Sequence, residues 1–210
     1  MKNNVLKFVC HSKKTLDIAA EFGWLAGAKY TNLRDIKHCS QVGFIDIDWE
    51  NYCFQKHINA VMKTKPLYTV AKDIVDINEL DQILYEAEEL SNYAENVILV
   101  PKDQKLKNKL ELLPRKYVLG YSVPTKYGGT EISTKYFNRP VHLLGGRPDV
   151  QRKLANEMPV VSFDCNRFTL DAKFGDYFNG KKFIQHPIGG YEKCLYDSIK
   201  NITKLWSQYE

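Results

Sequence analysis

The chain has 210 residues, of which 44% are hydrophobic and 26% charged. That is enough apolar material for one full core, and it excludes the disordered, fibrous and collagen-like classes. No apolar run reaches the roughly 18–20 residues that cross a bilayer, and the opening MKNNVLKFVCHSKK has neither the apolar centre nor the cleavage site of a secretory leader. The expected setting is therefore the cytoplasm with no membrane partner, while the formal charge of +5 suits a polyanion without specifying one.

Short β-branched or aromatic runs recur along the chain at 6–10, 28–32, 43–48, 67–71, 96–100, 117–123, 140–144 and 160–164. Each predicts a strand. Helical spacing of Glu, Leu and Ala follows at 76–93, with Asp76 as a candidate cap, then at 149–157 and in a closing amphipathic stretch at 190–209. Strands alternating with helices imply parallel βαβ units. Eight of them predict one α/β domain over 1–210, a single compact (β/α)8 TIM-like barrel near the short end of that fold's size range. An open doubly wound sheet is the other reading, weakened because no glycine-rich phosphate fingerprint follows the first strand.

The five cysteines, Cys10, Cys39, Cys53, Cys165 and Cys194, are scattered and form no CxxC pair. Free thiols are expected, with no zinc site, no other metal and no cofactor.

Alternate residues of a barrel strand face the axis. In Phe44-Ile45-Asp46-Ile47-Asp48-Trp49 the rule turns Asp46 and Asp48 inward and sends Ile45, Ile47 and Trp49 toward the helices. In Val161-Ser162-Phe163-Asp164-Cys165-Asn166 it turns Ser162, Asp164 and Asn166 inward. Asp73 ends a third strand. Carboxylates inside a barrel are costly unless paired, hydrogen-bonded or solvated in a cleft, and barrel active sites lie at the C-terminal strand ends. Asp164 and Asp48 are thus the catalytic candidates, and Asp46 and Asp73 join them as binding candidates. A lone histidine is more often packed than catalytic, which is the reading for His142 within the seventh strand, whereas His11 ends the first strand at the same rim and joins the binding candidates.

Glycine clusters follow the later strands. Gly120, Tyr121 and Ser122 lead to Gly128 and Gly129, and Gly145-Gly146-Arg147 ends the seventh run. Such turns let backbone approach a ligand, and Arg147 adds a charge. Tyr121, Tyr127, Tyr136 and Phe137 lie among Lys126, Lys135 and Arg139, a mixture that stacks bases and holds phosphates, or simply packs a loop.

The stretch His142-Leu143-Leu144-Gly145-Gly146-Arg147-Pro148-Asp149-Val150-Gln151, with Val161-Ser162-Phe163-Asp164-Cys165-Asn166, resembles the end of the tRNA-guanine transglycosylase barrel. There a "MGVGxPxDL" strand and helix precede an "FDCVLPTR" strand. The resemblance covers about 50 residues near the C-terminus and is topological before them. It implies a catalytic nucleophile at Asp164, a general acid/base at Asp48, base recognition at Asp73, and a base pocket along 120–125. The family's CxCxxC…H zinc site is absent and the chain is far shorter, so it looks more like the reduced, phage-linked relatives that act on DNA. The expected function is cleavage of the base–sugar bond of a modified base in DNA, with tRNA a weaker candidate partner. Two other readings stay open. One is a metal-dependent barrel hydrolase built on Asp46, Asp48, Asp73 and His11, and the other is a barrel that binds nucleic acid without chemistry. Neither the oligomeric state nor the identity of the base is readable.

Overall fold

A computed structural model describes residues 5–126, 128–207 and 209. Tyr127 and Gln208, which fall in stretches discussed above, lie outside the described residues. Among those described, eight parallel strands close into a barrel, β1(Leu6–Cys10), β2(Leu25–Lys29), β3(Phe44–Asp46), β4(Tyr68–Val70), β5(Asn96–Leu99), β6(Val118–Ser122), β7(Val141–Leu144) and β8(Val160–Asp164). Closure is made by β1 against β8, with Phe8 opposite Asp164. The fold is a single (β/α)8 barrel, and the open sheet is overturned by this pairing.

The economy of the chain lies in its connections. Helices α1(Lys13–Ala20), α2(Phe54–Thr64), α3(Leu80–Ser91) and α4(Pro148–Leu154) follow β1, β3, β4 and β7. After β2, β5 and β6 the outer layer shrinks to 3-10 turns such as Arg34–Ile36, Gln104–Leu106 and Thr134–Tyr136. Asp76 caps the approach to α3, its carboxylate accepting from the Asn78 N–H at 3.0 Å. After β8 come α5(Arg167–Ala172), an antiparallel hairpin of β9(Asp176–Phe178) and β10(Phe183–Gln185), and the closing α6(Tyr191–Trp206). Among the described residues no helix is long and apolar enough to cross a membrane.

The core has two shells. Outside the barrel, Phe163 of β8 stacks on Trp206 of α6 at 4.3 Å and meets Trp24 edge-on. Inside, Phe8, Phe44 and His142 stack at 5.2–5.9 Å, and Tyr68 lies 5.4 Å from Phe8. These rings plug the barrel. Strand β2 fits because Gly27 carries no side chain, since a Cβ there would lie 2.7 Å from Cys10 Sγ and 3.0 Å from Phe44 Cβ.

Candidate functional site

At the C-terminal mouth lies a cavity of about 340 Å³, within the usual range of small-molecule sites. Three aspartates from three different strands line it: Asp46 at the end of β3, Asp73 just beyond β4 and Asp164 at the end of β8. Ser122, Gly145, Gly146 and Asn166 join them, and so do Lys102, Ile47 and Trp49.

Asp164 is held from several sides. Its Oδ1 accepts the Gly145 N–H at 2.9 Å, which Gly145 can present because its φ is +59° in the turn after β7. The buried His142 Nε2 lies 3.5 Å from the same oxygen. The imidazole is fixed at its other nitrogen, where Nδ1 and the Ser162 hydroxyl share a 2.8 Å hydrogen bond. Gln151 of α4 donates its amide to both the Gly145 and Asp164 carbonyls, at 2.7 and 2.8 Å, and so ties the two strand ends together. Asn166 braces β1 by accepting the Cys10 N–H at 2.8 Å.

Asp46 has a different environment. Its one hydrogen bond described here accepts the N–H of Ile47 at 2.8 Å. Burial, and then the negative field of Asp164, raises its carboxyl to about 7. The Cys10 thiol is pushed well up by burial and by both carboxylates, which keeps it protonated and unreactive. Asp73 is raised by burial, an effect opposed by Lys102, whose Nζ lies 2.6 Å from its Oδ2.

Several expected residues stand elsewhere. Asp48 is not in the cavity lining. Strand β3 ends at Asp46, the chain then turns, and the Asp48 carboxylate faces Lys29 Nζ at 3.6 Å. The same turn breaks the alternation, so Ile47 and Trp49 line the cavity instead of facing helices, and Trp49 stays 61% exposed at its rim. His11 Nδ1 bonds the hydroxyls of Thr15 and Ser12 at 3.1 and 3.3 Å at the start of α1. Gly120 faces its own neighbours, because a Cβ there would lie 2.7 Å from Val100 Cγ2 and 2.8 Å from Ile98 Cγ2. Tyr121 points out of the barrel onto Phe137, ring to ring at 5.1 Å. Arg147 pairs with Asp149 at 3.0 Å as α4 begins. Lys102 and Trp49 were not singled out as site residues from the sequence. The only signal for Lys102 is its place just past a predicted strand.

Among the described residues no group of three or more His, Cys, Asp or Glu side chains is arranged to hold a metal ion. All five cysteines are free, with Cys165 and Cys194 buried and the rest partly so.

Two predictions follow the geometry of the mouth. Gly146 has φ +86° and a Cβ there would lie 2.4 Å from Val123 Cγ1, whereas at Gly145 nothing lies within 4 Å. Both alanine variants carry the left-handed backbone cost, but Gly146→Ala adds overpacking against a stiff β-branched side chain. It is expected to lose at least about 1 kcal/mol more than Gly145→Ala in thermal melts. Asp48→Asn, which breaks only a partly exposed pair, is expected to stay within about 0.5 kcal/mol of the parent.

No curated protein matches the chain. Among solved structures, the YdjI aldolase from Escherichia coli K12 is similar over 99% of this chain and 93% of its own, with a TM-score of 0.60 and 12% sequence identity. At that identity the likeness is one of fold. The family described as "Family of unknown function (DUF6610)" matches residues 19–207, and the chain belongs to that family.

Proposed function

We propose that the chain is an enzyme that breaks the N-glycosidic bond of a base in DNA, as a glycosylase or a base-exchanging transglycosylase. The observation that carries this reading is the pairing in one cavity of two carboxyl groups with different surroundings. Asp164 is clamped by an N–H donor and faced by an imidazole, while Asp46 retains its proton up to about pH 7. A carboxyl group that keeps its proton can serve as the acid beside a second one that serves as the nucleophile. In the proposed step the C1′–N bond breaks, Asp164 captures or stabilises the sugar cation, and Asp46 gives its proton to the departing base. Water or an incoming base then attacks C1′ and gives up a proton to Asp46, which returns Asp164 as a free carboxylate and Asp46 as an acid. No cofactor is required.

The acid role thus falls to Asp46 and not to Asp48. Asp73 with Lys102 offers an acceptor and a donor for the edge of a base, and the exposed Trp49 offers a face for stacking. Of the stretch that carries the transglycosylase resemblance, Asp164, Gly145 and Gly146 line the cavity. A base in duplex DNA has to leave the stack to reach this mouth. The test is incubation with natural and modified DNA, read as alkali-labile sites with and without added deazapurine. Abasic sites indicate hydrolysis and incorporated deazapurine indicates exchange. Neither product from any substrate would end the proposal.

Lys102 favours a second reading. It is the one lysine lining the cavity among the described residues, and a lysine that gives up its proton can form a Schiff base with a carbonyl substrate. Borohydride trapping of a carbonyl substrate on Lys102 would support this reading over the first.

A further inference from the structure

A second and larger cavity, of about 770 Å³, opens at the other end of β6 and β7, where Leu119 and Pro140 form part of its wall. The first cavity is lined by Ser122 and Leu144 at the opposite ends of these strands. Its wall is basic. Lys107, Arg115, Lys135 and Arg139 line it, and Glu111 is its one acid among the described residues. None of the four cations makes an ion pair within the described residues, although ion pairs recur elsewhere on the surface, as at Lys13–Asp17 and Arg147–Asp149.

Arg139 is the telling residue. Its Nη1 donates to the Leu113 carbonyl at 3.0 Å, which fixes the guanidinium. Its Nε and Nη2 are buried and have no acceptor among the described residues. Buried donors of a charged group are nearly always satisfied, and these two form the edge that matches two oxygens of an oxyanion. Burial and the neighbouring Arg115 both disfavour the charge on Arg139, an unfavourable arrangement that an anion would relieve. Lys107 and Lys135 approach the same Tyr136 ring, their Nζ atoms 5.8 and 5.2 Å from its centroid. Two ammonium groups are thereby brought near one point of the wall.

We propose that this cavity is a binding site for a phosphoryl group, gripped through two oxygens by Nε and Nη2 of Arg139 and neutralised by Lys107, Arg115 and Lys135. The site is independent of the chemistry assigned to the first cavity. A small phosphate ester and a backbone phosphate of a nucleic acid share this chemistry.

Calorimetric titration with inorganic phosphate, at ionic strength held constant with chloride, tests the proposal. Binding is expected for the parent protein. It should weaken by about tenfold or more in Arg139→Lys, which keeps the charge but loses the fork. The double variant K107Q/K135Q should weaken it too, without disturbing the Leu113 contact, and so guards against a fold defect at Arg139. Competition by a 5′-hydroxyl oligonucleotide would assign the site to backbone phosphate, and competition by a nucleoside monophosphate alone would assign it to a small ester. Either result supports the site. Failure to bind phosphate above the chloride control, or binding unchanged in both variants, would overturn it.

Discussion

Asp164→Asn is expected to slow base release in single turnover by at least about a hundredfold. Asparagine keeps the size of the side chain, and its oxygen can still accept the Gly145 N–H that now meets Oδ1 at 2.9 Å. What it removes is the negative charge beneath the forming sugar cation. That interaction is strongest in the transition state, so the loss belongs in the chemical step and not in substrate affinity. DNA binding should persist, because phosphate contacts come from basic residues. The melt should persist as well, since the Gln151 bonds reach the backbone carbonyls of Gly145 and Asp164 and not the carboxylate. A variant that releases base at the parent rate would remove Asp164 as nucleophile. One that simply unfolds would assign the carboxylate to holding β7 and β8 together.

The second large effect concerns pH and Asp46. With its carboxyl raised to about 7 by burial and by Asp164, the proton it donates is lost as the pH rises through neutrality. Base release should therefore fall about tenfold for each pH unit above this value, and Asp46→Asn should lower the rate by roughly 10²–10⁴ and abolish that limb of the profile. Stability should fall over the same range of pH. An unfolded aspartate holds its proton only below about pH 4, whereas folded Asp46 holds it to about 7. Between these values the folded state binds more protons, so the stability contributed by this protonation is full below about pH 4 and disappears as the pH rises through 7. Asparagine carries no such penalty. The Asp46→Asn protein should melt higher than the parent at pH 8, by at least a few degrees, and gain little at pH 5. A rate profile flat across pH 6–8 in the parent would exclude Asp46 as the acid.

The barrel was legible where strands carry β-branched or aromatic alternation. The predicted runs 6–10 and 160–164 coincide with β1 and β8. The second strand is expected at 28–32 instead because β2 is Leu-Ala-Gly-Ala-Lys, whose Ala-Gly-Ala centre has poor strand preference, and its Gly27 is there to admit Cys10 and Phe44. The β9–β10 hairpin was not read at all. Its strands are three residues each, too short for a periodic signal.

The same limits apply to the site. Ser162, Asp164 and Asn166 follow from period-2 alternation that continues to the strand end. Asp46 and Asp48 share that period, and the sequence puts Asp48 first because it lies nearer the expected strand end; only the turn after Asp46 reverses the order, leaving Asp46 in the cavity and Asp48 in the ion pair with Lys29. Lys102 meets Asp73 because β4 and β5 are neighbours whose following loops converge. His142 looked like an isolated histidine, but pairing of β7 with β8 puts its Cα opposite Ser162, and its ring then reaches Asp164. Such residues become neighbours only through long-range pairing, which a linear pattern does not carry.

Mass spectrometry of the bases freed when the purified protein meets a panel of natural and modified DNAs, with Asp164→Asn run beside it, decides whether this barrel breaks a base–sugar bond. A free base is expected from at least one DNA with the parent protein, and a release at least about a hundredfold slower with Asp164→Asn. No base from any DNA, or equal release by both proteins, would contradict the proposal.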